Sequence, residues 1–202
     1  PAEEHADRRF HDYESVASEL YTTCSALCGV VIRIGGDRAV LGFGVFNHNR
    51  NVAFDASCAA LALTSSSKFQ SSRIGLSVTS AYVGVVGELF GRRAAVVGNC
   101  VGIANKLATT PLYLKRGICA TLSSVRAIRS LSVRCIGTLK VNDEFLTVAD
   151  VRGVRVSRNE DDRVIDEVEA KLKVKLHRSN RDYRMWNTVC DYVDRGHLQT
   201  AK

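Results

Sequence analysis

The side chains that could do chemistry in this chain are scattered, and one carboxylate stands apart from the rest by its setting. Asp37 falls in Gly35-Gly36-Asp37-Arg38, between two apolar, β-branched runs from Val30 to Ile34 and from Ala39 to Phe46. That is the pattern of a tight β-hairpin, so the spacing predicts an Asp at the tip of a glycine turn. A carboxylate there can ligate a cation, or it can do no more than suit the turn, as Gly-Asp pairs do whatever the chemistry. Seven cysteines, at 24, 28, 58, 100, 119, 135 and 190, form no Cys-x-x-Cys pair and fall mostly inside apolar runs. They read as buried reduced thiols rather than as a disulfide framework or a zinc site. Cys24 and Cys28 lie one helical turn apart with no His or second Cys pair to complete a tetrahedron. The histidines, at 5, 11, 48, 177 and 197, are isolated, with no partner at ligand spacing. Tyr183 and Trp186 share one predicted helical stripe and read as core or contact residues rather than as a base-stacking platform.

The elements that must position Asp37 follow from periodicity. Tyr13, Val16, Ala17, Leu20, Cys24 and Leu27 predict a helix over about 10–27, ended by Gly29. After the hairpin and the loop from Asn47 to Asn51, small and apolar residues at 53, 56, 60 and 63 predict a packed helix over about 52–66. Arg73 to Val78 and Ala81 to Val86 read as strands. Ala94 to Val97 is a short strand that breaks at Gly98 into a helix, with Asn99 where an N-cap acceptor is needed and Pro111 closing the region. Gly117 to Leu122 is a strand, Ser123 or Ser124 caps a short helix to about Arg129, and Ser132–Val141 with Phe145–Val151 forms a closing hairpin around Asn142-Asp143. From about Arg158 the composition becomes charged, with Val164, Ile165, Val168, Leu172 and Leu176 at helical spacing. Ser179 or Asn180 then caps a second helix with Tyr183, Trp186, Val189, Cys190 and Val193 as its stripe. The expected organisation is a sheet domain over residues 1–155 and, over 156–202, a helical tail or a linker to a further domain.

With 202 residues, 46% hydrophobic and 24% charged, the chain can bury one sizeable core and carry an appendage. No run of eighteen apolar residues occurs, and the first ten residues lack the basic start and apolar block of a signal peptide. The only methionine is Met185, which leads to the expectation that the chain is a piece of a longer protein. The net charge of +7 is spread from Arg8 to Lys202 and interleaved with Asp and Glu where it is densest, which suits a mixed solvated surface better than a nucleic-acid interface. The thiols point to a reducing, cytoplasmic compartment, whatever membrane or cytoskeleton the parent protein associates with.

Taken in order, the segment from about Tyr13 to Val151 resembles the catalytic domain of class III adenylate and guanylate cyclases that has lost its first strand. The resemblance rests on the Gly36-Asp37 hairpin, the Arg73-Ile74-Gly75-Leu76 run, Gly84 and Gly87 in the next strand, Val96-Val97-Gly98-Asn99, and the Ile136-Gly137 to Val148 hairpin. It implies an α+β fold, a ferredoxin-like, mixed or antiparallel sheet with helices on one face, followed by the helical tail. In the family, two carboxylates, one from the first strand and one from the hairpin turn, hold two divalent cations that activate the ribose 3′ hydroxyl and neutralise the triphosphate. An Asn and an Arg on the later helix orient the ribose and meet the charge on the α-phosphate.

On that resemblance, Asp37 is the metal-binding carboxylate, Arg33 and Asn99 hold the purine-reading positions, Gly102 stands where the catalytic Asn is expected and Lys106 where the Arg would be. Thr79 replaces a family glycine, and residues 1–12 offer no first-strand Asp. Gly has no side chain to orient a ribose, and a Lys cannot reproduce the bidentate fork of a guanidinium. The resemblance therefore implies a degenerate cyclase-homology domain, used for dimerisation, regulation or assembly with another cyclase-like domain or a structural protein, and needing no cofactor. Asn99-Cys100-Val101-Gly102-Ile103-Ala104-Asn105 is also similar to the first catalytic half of membrane adenylate cyclases. That leaves a second expectation, a metal-donating half-site that converts a purine nucleoside triphosphate to its cyclic nucleotide with Mg or Mn and a partner domain.

Overall fold

The computed structural model describes residues 2–46, 51–87, 93–110, 117–155 and 161–179, together with 181, 183, 184, 186–188 and 190. Helix α1 (Ala2–Ala26) leads through Leu27, Cys28 and Gly29 into strands β1 (Val30–Gly35) and β2 (Arg38–Gly42), an antiparallel ribbon with Gly35 opposite Arg38. The expected loop at 47–50 lies outside the described residues. Helix α2 (Val52–Ser65) follows, then a single 3-10 turn at Ser67–Phe69 and strand β3 (Arg73–Leu76). Strands β4 (Tyr82–Val86) and β5 (Arg93–Val97) form a second antiparallel ribbon, which runs into α3 (Asn99–Thr109). Beyond Pro111, itself outside the described residues, come β6 (Gly117–Thr121), α4 (Leu122–Val125), the long hairpin β7 (Leu131–Val141) and β8 (Glu144–Arg155), α5 (Asp161–Leu172) and the two-residue β9 (Arg178–Ser179).

The main sheet has the order β3-β6-β8-β7, with β9 joining β8. β3 runs parallel to β6 and β9 parallel to β8, while β8 runs antiparallel to both of its long neighbours, β6 and β7, so the sheet is mixed. Its central helix is α2, in which every residue from Phe54 to Leu63 is buried. A helix buried all round belongs inside a layered core, and the small side chains at Ala56, Cys58, Ala59 and Ala60 let it sit close to the strands. Ile118, Ala120, Ala149 and Val151 present one face of the sheet to α2, with Leu122 and Val125 of α4 and Ile165 and Val168 of α5 in the same cluster. Leu20 of α1, Leu63 and Phe69 form a second cluster under Val31, Ile34 and Leu41 of the first ribbon.

Four local expectations are corrected. Helices do not all lie on one face: Leu107 of α3 packs with Cys119 and Val148, which alternate to the opposite side of β6 and β8. The segment after 156 is not a helical pair standing outside the sheet, because Ile165, Val168 and Leu176 enter the main core. Ser179 is a strand residue rather than a helix cap, and its hydroxyl is hydrogen-bonded with the Ser132 hydroxyl at 3.1 Å; Asn180 lies outside the described residues. The cap of α4 is Thr121, not Ser123 or Ser124. The Ser124 hydroxyl accepts instead from the Val78 amide at 2.9 Å, which draws Val78 away from strand pairing and ends β3 at Leu76.

Cys24, Cys58, Cys119 and Cys135 are buried, Cys100 and Cys190 are half-buried, and Cys28 is exposed. Burial pushes the Cys24 thiol up to about 11 from 9.0; burial and then the Asp150 charge push Cys119 up to about 11, against a lowering by Arg73. Each such rise reduces the reactive thiolate about a hundredfold. Alkylation at pH 8 followed by peptide mapping is therefore expected to mark Cys28 at least about a hundredfold faster than Cys24 or Cys119. Equal rates would mean that the α1 packing opens readily.

Candidate functional site

The hairpin tip is built by Gly36, whose φ of +59° suits the first central position of a two-residue turn where an L side chain is disfavoured. Asp37 follows it with its side chain 89% exposed, and the Arg38 guanidinium approaches its Oδ1 with Nε at 3.5 Å. Arg38 also reaches across to α3, where Nη1 donates to Asn105 Oδ1 at 3.2 Å. This bond ties the hairpin turn to the helix on which the remaining candidates lie.

α3 is held against the sheet by an unusually close contact. A Cβ added at Gly75 of β3 would overlap the Ala104 carbonyl oxygen and lie 2.8 Å from the Ala108 nitrogen. With Ala104, Leu107 and Ala108 turned to the sheet, helical spacing puts Asn99, Gly102, Asn105 and Lys106 on the outward face, and all four are exposed. Gly98, not Asn99, is the N-cap; Asn99 is the first helical residue. A Cβ at Gly102 would meet nothing within 4 Å. Lys106 is exposed in the last turn, and its carbonyl takes the Thr110 amide and hydroxyl and the Thr109 hydroxyl. Arg33 is exposed on β1, opposite Val40, just after a bulge at Ile32.

The structure thus joins Asp37 and α3 through Arg38 and Asn105, two residues that the sequence pattern did not single out. The only local hints were the adjacency of Arg38 to Asp37 and the place of Asn105 beside Lys106. Among the described residues no three His, Cys, Asp or Glu side chains are grouped to hold a metal. A single exposed carboxylate with a guanidinium beside it does not fit a two-cation site, which needs several hard oxygen ligands. What this surface offers an anion is the outward stripe of Asn99, Asn105 and Lys106 with Arg38 beside it.

No protein-family profile matches the chain, and no curated protein matches it. Solved structures do. The guanylate cyclase domain of RhGC from Catenaria anguillulae, solved in complex with GTP, is 17% identical with a TM-score of 0.59, the match covering 69% of this chain and 81% of that one. A dimeric guanylyl cyclase domain of the RhoGC fusion protein from the aquatic fungus Blastocladiella emersonii is 17% identical over 72% of this chain and 83% of that one, TM-score 0.61. The adenylyl cyclase CyaB from P. aeruginosa is 16% identical over 77% of this chain and 85% of that one, TM-score 0.54. On these likenesses the chain has the fold of a class III nucleotidyl cyclase catalytic domain.

Proposed function

We propose that this is a degenerate nucleotidyl cyclase-homology domain, non-catalytic, which serves dimerisation, regulation or assembly by pairing with another cyclase-like domain or a structural protein. The observation that carries the reading is the β4–β5 ribbon. All five residues of β4 are exposed; Tyr82 is 85% exposed and Val97, its cross-strand partner, 65%, with Val86 on the same face and Val83 and Val85 exposed on the other. A two-stranded ribbon is marginal in water, and an apolar patch of this kind marks a surface that another protein covers. On the chemical side, Gly102 and Lys106 occupy the positions that the resemblance gives to a ribose-orienting Asn and a charge-stabilising Arg. Each such loss removes on the order of a hundredfold in rate. The open carboxylate of Asp37 favours a second reading, a metal-donating half-site completed by a partner domain.

Sedimentation velocity separates these from a solitary domain. The wild type is expected to self-associate or to bind a cyclase-like partner, and Val86→Glu with Val97→Glu to abolish it, with no turnover of ATP or GTP in manganese in either state. Cyclic nucleotide formation that appears with a partner and disappears in Asp37→Ala would replace the first reading with the second. A monomer that binds no such partner would overturn both.

A further inference from the structure

β7 is an edge strand of the main sheet, and its outer backbone groups are occupied by side chains from the end of the described chain. Asn187 accepts from the Cys135 amide through Oδ1 at 2.7 Å and donates through Nδ2 to the Val133 carbonyl at 2.8 Å. Trp186 Nε1 donates to the Cys135 carbonyl at 3.0 Å. These are three successive outward groups of the strand, the ones a neighbouring strand would take. A single amide spanning the carbonyl of residue 133 and the N–H of residue 135 reproduces the two bonds made by one residue of a parallel strand opposite Arg134. Ser132 Oγ extends the seam, donating to the Arg181 carbonyl at 3.0 Å. Sheet edges are ordinarily guarded by charge, proline or a bulge, but here the guard copies the ladder itself.

We infer that the 131–135 edge of β7 is a docking site for an extended, acidic segment of a partner protein, running parallel to β7, which Trp186 and Asn187 close in cis and which the incoming strand displaces. Main-chain bonds would supply the affinity, as in other strand additions, and side chains the selectivity. The selectivity follows from charge. Arg134 lies opposite Asp150 in register, but Asp150 is buried and ion-paired with Arg152. Among the described residues Arg134 and Arg152 thus outnumber Asp150 on the face beside an added strand, and Arg134 is exposed at its border. A second copy of this chain fits less well, because two β7 edges related by a two-fold axis run antiparallel.

Trp186 is the only tryptophan, so its emission reports the seal directly. The full chain is titrated to millimolar with a capped hexapeptide alternating valine and glutamate, and with its valine–lysine counterpart. The glutamate peptide is expected to shift Trp186 emission saturably to longer wavelength, and the lysine peptide to leave it unchanged. Asn187→Ala should bind the glutamate peptide about tenfold more tightly, since two competing hydrogen bonds are gone. Arg134→Glu, a change at an exposed side chain whose folding is checked by an unchanged circular dichroism spectrum, should reverse the preference between the peptides. An emission that neither peptide moves in wild type or Asn187→Ala, an equal response to both, or a preference unchanged in Arg134→Glu would overturn the proposal. So would concentration-dependent dimerisation of Asn187→Ala in place of peptide binding, which would assign the edge to a second copy.

Discussion

Gly75→Val is expected to destabilise the chain by about 3 kcal/mol and to lower the melting temperature by about 6–12 °C. The cause is steric and involves backbone on both sides. The first added carbon already overlaps the Ala104 carbonyl oxygen, and the Ala108 nitrogen is 2.8 Å away, so no side-chain rotation relieves it. If α3 retreats, Leu107 leaves its cluster with Cys119 and Val148, and the Arg38–Asn105 bond between hairpin and helix is lost as well. Gly102→Ala is the matched control. It lies on the outward face of the same helix with open space around it, and a helical glycine replaced by alanine gains up to about 1 kcal/mol. Calorimetric melts of the two variants should therefore move in opposite directions. A Gly75→Val melt within about 2 °C of wild type would mean that α3 is not seated on β3 as described.

Much of this fold is legible because its signals are local. Gly35 to Arg38 between two β-branched runs specifies the first hairpin, Asn142-Asp143 specifies the β7–β8 turn, and the small residues of 52–66 mark a helix that must pack closely. What could not be read depends on partners far away in sequence. β9 is two residues long, too short for any period to show, and it exists because Leu176 is buried beside α5 and Ser179 meets Ser132. β3 stops at Leu76 although alternation continues to Val78, because a serine 46 residues later takes the Val78 amide. The sidedness of α3 was hidden in Gly75: as a bare glycine in a strand it gave no indication of which helix would lie across it.

The candidate site shows the same division. Asp37 stands where the turn chemistry put it, since a two-residue loop leaves little choice. Arg33, Asn99, Gly102 and Lys106 took their meaning from register with a family, and the structure places them on exposed surfaces of β1 and α3. The bond that actually connects the hairpin to α3, from Arg38 to Asn105, pairs two exposed polar residues 67 positions apart. Neither has a type or spacing that separates it from an ordinary surface residue. Likewise the tail stripe of Tyr183 and Trp186 read as contact residues, but the residue between Trp186 and Thr188 does much of the binding, through an amide rather than an apolar face.

Glu169→Leu is expected to cost about 3 kcal/mol at pH 7, and Glu169→Gln to change the acid limb of the stability curve. The Glu169 side chain is 2% exposed at the end of α5, accepting from Lys175 Nζ at 2.7 Å and from the Leu176 amide at 3.0 Å, with Arg178 Nη2 at 3.3 Å. Burial alone would raise its pKa, but the hydrogen bonds from Lys175 and Leu176 and the charge of Arg178 outweigh it and hold the carboxyl below its ordinary 4.5. A depressed folded pKa means that the unfolded chain binds the proton first. The stabilisation is therefore complete above the ordinary glutamate range and is lost as pH falls through the lower folded value. Asp150 has the opposite sign: burial raises it despite Arg152 and Arg134, so its contribution is most favourable at low pH and declines as pH rises through the raised folded value. The two carboxyls thus partly cancel in the wild-type acid titration, and single variants uncover each. Urea denaturation between pH 7 and pH 3 should show the gap between wild type and Glu169→Gln closing as pH falls. Asp150→Asn should gain on wild type as pH rises over the carboxylate range. A gap for Glu169→Gln that stays constant would show that Glu169 carries its proton alike in the folded and unfolded chain, and that Lys175 and Arg178 hold α5 and β9 together by shape rather than by charge.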